Sequence, residues 1–587
     1  MPEFAPILVG ISVLFLLVAL YSGKVRAEVA FFSAVMFLTV FGVLTPKEAI
    51  SGFANEQLAV IILLLILSDT IRKTNVMDAL FNQLFKGTKS QRSFVWRMML
   101  FIAPASAFFN NTPIVAMMMP YVHSWSKRNG MSPSKLLIPL SYVTIVGGCM
   151  TLVGTSTNLI VNGMAVDAGF PSLGIFDFTL IGLPLAIVGG VYMILFSGSL
   201  LPDHKDALAE FNDDWREYLV ETEVGQQSSL IGKTIEAAGL RNLKGNFLVE
   251  IVRNERIITP VSPTHILRAH DRLIFTGGLD TIQDMVKAEM GLSLPKTCES
   301  DHLSDVVEVV ISYNSSLIGK SVKDSDFRGK YDAAIVAVHR NGEKLSGKLG
   351  DIDLEAGDAL LLFAGRDFYK RATENAFYTI SRKQNVLVQG KKALLVILGV
   401  LASVVISATT PVPLFTCLLI VLAGTLLAGI LTATEVRKGL DVNLLTIMAF
   451  GLAMGKALTN SGAAEIIAEQ VLSLGKGLGP VALIAGIFTV TNVLGAYMTN
   501  KAAVALIFPV SISLAQSLNL PIEPFILVVA FGGAASFITP IGYQTNLMVY
   551  GSGGYSFNDF MKIGLPLTIL YIVLGTFLLA WRFQLWQ

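Results

Sequence analysis

Ten long apolar runs constrain this chain more than any other feature. They lie at 5–21, 28–44, 55–71, 134–165 and 177–201, and again at 393–409, 412–431, 442–458, 521–551 and 560–583. About 17–25 such residues in a helix match the thickness of a bilayer core. Two more apolar stretches, 93–125 and 480–516, are too long for one span and carry polar residues at their centres, which suits a re-entrant hairpin. The first run has no basic leader and no small-residue cleavage site, so it reads as a retained helix.

Charge is segregated. Only 15% of the residues are charged, and 53 of those 87 fall between 202 and 391. The chain therefore divides into a membrane block at 1–201, a water-soluble block with halves at 202–300 and 301–391, and a second membrane block at 392–587. With 44 basic and 43 acidic residues, the chain lacks the basic excess of a general nucleic-acid binder. Cys149, Cys298 and Cys417 lie far apart, which argues against a disulfide framework or a zinc cluster.

The two membrane blocks repeat one another. LTPKEAISGF (44–53) matches LTATEVRKGL (431–440), and NNTPIVAMMMP (110–120) matches TNKAAVALIFP (499–509). STNLIV (156–161) matches QTNLMV (544–549), and FDFTLIGLPLAI (176–187) matches NDFMKIGLPLTI (558–569). Four matches in one order at offsets of 382–389 mark an internal duplication. Five spans per block is an odd number, so the second copy is expected to be inverted in the bilayer. Lys and Arg cluster in loops on one side of this arrangement, which the positive-inside rule makes cytoplasmic. Residues 202–391 fall on that side, in a multi-pass protein of the plasma (cell inner) membrane.

Backbone in a bilayer must satisfy its own hydrogen bonds, so breaks at membrane depth belong where something binds. Four breaks stand out: 110–112, 499–501, 154–158 and 539–546. Their Asn and Thr oxygens and freed carbonyls are hard ligands suited to Na⁺, while amide NH₂, hydroxyls and helix N-termini favour an anion. None contains Asp or Glu, which argues against a cation substrate. His123, just beyond the first hairpin, reads as a surface histidine. Asp69 and Lys456, repeat-equivalent residues near helix ends, would lie on opposite sides and could not pair directly.

NNTPIVAMMMP and TNKAAVALIFP resemble the paired hairpin-tip motifs of the divalent-anion/sodium symporter family, and GTSTN and TPIGYQTN resemble its paired loops in broken helices. The resemblance spans about 390 residues. It implies a polytopic α-helical membrane protein with two inverted repeats, about ten spans and two re-entrant hairpins, working as a homodimeric elevator. It also implies a small divalent anion as substrate, sulfate first, with Na⁺ as coupling ion. Asn110, Asn111, Gly154, Thr155 and Thr157 would form one sodium site, and Thr499, Asn500, Thr539 and Thr545 its partner. The anion would meet Asn111, Thr112, Asn158, Asn500, Lys501 and Asn546. Lys501 stands where the family has Thr, and a lysine at membrane depth is usually functional. Three roles are open to it: neutralising the anion, replacing one Na⁺, or snorkelling away as a structural residue.

The soluble block is a second duplication, inserted as an α+β tandem. SSLIGKTI (228–235) matches SSLIGKSV (315–322), and HDRLIFTGG (270–278) matches GDALLLFAG (357–365), both 87 residues apart. Each unit resembles the TrkA-C (RCK-C) subdomain of potassium-transport regulators. That resemblance implies dimer contact and a small cytoplasmic ligand such as a nucleotide, with Arg253, Arg256, His270, His339 and Arg340 as candidate contacts; assembly alone is the competing role. No GxGxxG opens a helix after a strand, so neither NAD nor ATP is expected. A dicarboxylate or other oxyanion or sulfonate, carried by symport or exchange, is the main rival substrate. A ligand-gated anion channel is the rival of another class. No catalytic constellation supports an enzyme.

Overall fold

The computed structural model describes residues 4–22, 25–72, 81, 83–204, 219–240, 247–254, 256–258, 261–276, 292–293, 306–312, 315–340, 343–345, 349–365, 367–372, 376–379, 390–433, 436–437, 440, 442–474 and 479–586. Cys298 and most of the 475–479 loop lie outside these residues.

Outside the soluble block the described chain is helical. Among the described residues three helices are long and apolar enough to cross a membrane: Thr179–Leu200, Pro480–Tyr497 and Phe557–Arg582. A pair bent by 41°, Pro46–Ala54 with Glu56–Ser68, makes a fourth if counted as one span, and five shorter apolar helices accompany them. Two of the ten runs are split at the breaks read from the sequence, 154–158 and 539–546. Run 134–165 is two helices, Leu137–Gly148 and Ser156–Asp167, and run 521–551 is Glu523–Ala534 and Gln544–Ser552. Both first halves end near paired glycines (Gly147-Gly148 and Gly532-Gly533), where helix propensity is lowest. Pro480–Tyr497, expected as the arm of a re-entrant hairpin, is itself a helix of 18 residues.

The soluble block contains two five-stranded antiparallel sheets. The first is built from β1 (Leu219–Val224), β2 (Phe247–Arg253), β3 (Arg256–Ile258), β4 (Arg272–Thr276) and β5 (Leu292–Ser293). The second uses β6 (Val306–Ile311), β7 (Ala333–Arg340), β8 (Glu343–Lys344), β9 (Ala359–Ala364) and β10 (Phe377–Thr379). Their orders are β3-β2-β4-β1-β5 and β8-β7-β9-β6-β10, the same topology twice. Even the irregularities recur 87 residues apart, with a bulge at Leu248/Glu250 and another at Ile335/Ala337. Val249, Val252 and Ile274 of the first sheet pack on Ala334, Val336, Leu361 and Phe363 of the second, so the sheets share an apolar face.

Glu250 is fully buried on the strand that carries this face, and neither carboxylate oxygen finds a hydrogen-bond partner among the described residues. Burial pushes its carboxyl up to about 8. A carboxyl that holds its proton more tightly when folded loses stability as pH rises from its unfolded value, about 4.3, to about 8. Glu250→Gln is therefore expected to stabilise the full-length protein at pH 8 by about 2–4 kcal/mol and to change little at pH 5. Thermal unfolding at both pH values checks this; equal shifts would contradict it.

Candidate functional site

Both hairpins turn at a capped helix start. In the first, Gln91–Arg97, a π-helical turn Met98–Ile102 and a last α turn Ala103–Ser106 lead to the tip. There Asn110 caps Asn111–Arg128 by accepting from the Thr112 amide (3.4 Å). In the second, Pro480–Tyr497 leads to Thr499, which caps Asn500–Ser517 by accepting from the Ala502 amide (3.2 Å). Each cap satisfies a backbone donor left orphaned at a helix start.

Each tip lies against the broken helix of its own repeat, and one network holds both. The Thr151 hydroxyl donates to the Ala107 carbonyl and accepts from the Gly154 amide (3.2 Å). The Asn158 NH₂ donates to the Thr151 carbonyl (2.9 Å). In the other repeat the Thr539 hydroxyl donates to the Ala496 carbonyl and accepts from the Gly542 amide (3.2 Å), and the Asn546 NH₂ donates to the Thr539 carbonyl (3.2 Å). Corresponding residues stand 388 or 389 apart, the offset of the sequence duplication. Asn158 and Asn546, expected to hold substrate, thus spend their amide donors on their own loops. Gly154 and Gly542 are where backbone meets backbone. A Cβ at 154 would lie 2.5 Å from the Gly148 oxygen and 2.8 Å from the Ser106 oxygen; one at 542 would lie 2.6 Å from the Gly495 oxygen.

The repeats then interlock. Tyr543, at the start of Gln544–Ser552, receives a hydrogen bond from Asn111 Nδ2 (2.6 Å) and shares one with the Thr155 hydroxyl (3.0 Å). Thr112 donates to Gln544 Oε1 (3.2 Å). The Ser141 hydroxyl lies 2.7 Å from Asn546 Oδ1 and 2.9 Å from the Thr545 hydroxyl. On the other side, Thr157 and the Asn500 carbonyl both border Gly533. The structure thus brings the starts of four helices, at Asn111, Ser156, Asn500 and Gln544, into one region. Four positive dipole ends with no Asp or Glu in the four segments favour an anion.

Among the described residues, several buried polar atoms here lack a hydrogen-bond partner: Asn158 Oδ1, Asn492 Oδ1, Ser536 Oγ and Asn500 Nδ2. The oxygens suit a hard cation such as Na⁺, and the amide nitrogen suits an anion. Lys501 is half-buried in the first turn of Asn500–Ser517, at the position of Thr112 in the other repeat. An ammonium near the start of a helix adds its positive charge to the positive end of the dipole.

Other expectations resolve differently. His123 is buried, not a surface residue, because the helix that begins at the tip turns it inward. Lys456, read from the sequence as a helix-end residue, pairs with Asp167 (3.6 Å) and donates to the Ser51 hydroxyl (2.9 Å). Asn55 reaches the same Asp167 (3.3 Å). Asp69's side chain lies outside the described residues.

Arg253 and Arg340 each make a bidentate pair with a buried aspartate, Asp271 at 2.7 Å and Asp358 at 2.7 and 2.8 Å. These bonds raise both guanidinium pKa values and commit the forks to the fold. His270 bonds Glu223 (2.8 Å), and burial lowers His339 to about 4, so it is neutral in the sheet. The Arg256 side chain lies outside the described residues. Ser106, Ser141 and Thr151 lie outside the four breaks singled out from the sequence, and Tyr543 and Gln544 lie inside the 539–546 break without an individual role there. One signal was available: Thr-x-x-Gly recurs at Thr151–Gly154 and Thr539–Gly542, at the duplication's offset.

Comparison with known proteins places this geometry in context. The family model described as "Citrate transporter" matches residues 13–417 and 404–586. A Chlamydomonas reinhardtii protein named putative sulfur deprivation response regulator is 36% identical, over 93% of this chain and 96% of its own length. Uncharacterized transporter sll0640 of Synechocystis is 33% identical, over 93% and 92%. Sodium/sulfate cotransporter 1 of C. reinhardtii is 24% identical, over 95% and 88%.

Proposed function

The chain belongs to the citrate transporter family, and on that premise we propose that it is a sodium-coupled secondary transporter of a small divalent oxyanion, sulfate first. The observation that carries the reading is the symmetric meeting of two tips and two broken helices, with four helix starts and no carboxylate at the meeting point. Relatives named sodium/sulfate cotransporters support the ion and the substrate. In this reading the repeats are inverted, the protein is a homodimer of the cell membrane, and the sheets of 202–391 are cytoplasmic TrkA-C-like units. The tips and broken helices move together as an elevator against the rest, and binding is not followed by chemistry on the anion. The Asp167–Lys456 pair joins a broken helix to Val442–Asn460 and would break in each cycle.

Citrate or a related carboxylate is the second reading, favoured by the description of the family itself. The two are separated by uptake of labelled sulfate and citrate into proteoliposomes, with and without a Na⁺ gradient. Saturable sulfate uptake that needs inward Na⁺ is expected. Citrate uptake without sulfate uptake would transfer the reading to the carboxylate, and entry of neither would remove both.

Lys501 is assigned to the anion. Losing a charge-assisted contact costs about 1.5–3 kcal/mol, so Lys501→Thr is expected to raise the KM for sulfate by about 10–100-fold. Lys501→Arg should retain most of the affinity. Unchanged KM and unchanged sodium stoichiometry in Lys501→Thr would sink both the neutralising and the ion-replacing roles.

A further inference from the structure

The second sheet of the soluble block reaches the transport site itself. The Gln544 amide lies between two partners: its Oε1 accepts from Thr112 of the first tip (3.2 Å), and its Nε2 donates to the Tyr378 hydroxyl (2.7 Å). Tyr378 belongs to β10, at the edge of the second sheet. Two bonds therefore connect the sheet to a hairpin tip. The contact continues along Gln544–Ser552. A Cβ on Gly551 would fall well inside contact distance of the Gly357 carbonyl, and one on Gly357 would lie 2.9 Å from Leu547 Cδ1. Val310 and Ala359 of this sheet are buried in the same apolar cluster as Met548 and Val549.

Among the described residues, the closest point of the dock is in the second unit. Gly357 has φ +87°, and its counterpart 87 residues earlier, His270, has φ +63°. The two units share a positive φ there; a Cβ at 357 would meet only the side chains of Leu547 and Tyr550, whereas one at Gly551 would meet the sheet's backbone. His270 instead turns to Glu223 within its own unit.

We propose that the second sheet is a built-in brake: docked on Gln544–Ser552 through Tyr378 and Gly357, it holds this site-bearing helix in one position, and transport requires it to release. The inference rests on the transport reading above. A short helix whose start lines the site cannot shift relative to the sheet without losing the Tyr378 bond and the Gly357–Gly551 contact. Any cytoplasmic ligand that favours the undocked sheet would speed transport by its differential affinity for the two states.

The test is reversible cross-linking in the full-length protein with its three native cysteines replaced. Cysteines at Gly357 and Leu547 bring two side chains together at the dock; the His270 counterpart indicates that a side chain is tolerated on the backbone at 357. Oxidation is expected to lower labelled sulfate uptake by at least about tenfold, and reductant to restore it. As a complement, Tyr378→Phe removes one hydrogen bond and Gly551→Val wedges the sheet away. Both are expected to raise the maximal uptake rate severalfold at unchanged protein level. Uptake that is the same cross-linked and reduced would overturn the brake, because the sheet would then ride with the helix. Absence of uptake by the native protein as well would instead bring down the transport reading, and this inference with it.

Discussion

Gly154→Ala and Gly542→Ala should each reduce sodium-driven sulfate uptake by on the order of 100-fold while the protein still folds. At 154 the added methyl meets only backbone; at 542 it meets backbone together with the Ser536 hydroxyl. At 154 it would lie 2.5 Å from the Gly148 oxygen and 2.8 Å from the Ser106 oxygen. At 542 it would lie 2.6 Å from the Gly495 oxygen and 2.8 Å from the Ala496 Cα. Overpacking of this kind costs about 1–3 kcal/mol, which a large helical protein survives. The loop and tip must nevertheless separate, and a misplacement near 1 Å at a positioned site costs roughly 100-fold. Uptake assays on matched amounts of reconstituted protein check this. A variant that transports normally would mean that its tip and loop need not stay in contact.

The second large effect concerns Thr151 and Thr539. Each hydroxyl joins a tip carbonyl to a loop amide, and both side chains are buried. Valine has nearly the same shape but offers neither bond, and each unsatisfied backbone group costs about 1–3 kcal/mol. Thr151→Val and Thr539→Val should therefore each lower stability by about 2–5 kcal/mol and strongly impair uptake, whereas serine at either position should restore both. Thermal unfolding measured beside uptake separates the two. The twofold construction requires losses of similar size at the two positions. A large loss at one and none at the other would show that the repeats no longer carry equivalent duties.

Much of this was legible in the sequence because duplication leaves a fixed offset. The breaks at 154–158 and 539–546 mark themselves by placing Gly, Thr, Pro and Asn where a helix would otherwise continue. The repeat of 87 residues implies two like sheets, while their strand order and their matching bulges are seen only in the structure. What the sequence hid are contacts between repeats. Tyr543 and Asn111 stand 432 residues apart, and nothing in either motif says that one repeat's loop docks on the other's tip. Lys456 finds Asp167 because a broken helix brings Asp167 to it, and no repeat match links those two residues. Arg253 and Arg340 looked free to bind a ligand because the buried Asp271 and Asp358, 18 residues on, read as ordinary strand-flanking residues. Asn158 and Asn546 lie in the broken-helix segments, but their NH₂ groups close the loops.

On the reading proposed above, Na⁺ and a divalent oxyanion meet at the four converging helix starts. This meeting is tested most directly by sulfate binding to the purified full-length protein at several Na⁺ concentrations. Linkage requires reciprocity: if Na⁺ tightens sulfate binding by some factor, sulfate must tighten Na⁺ binding by the same factor. The account predicts saturable sulfate binding strengthened by Na⁺ and weakened in Lys501→Thr. Sulfate binding that is undetectable at every Na⁺ concentration, or indifferent to Na⁺, would contradict it.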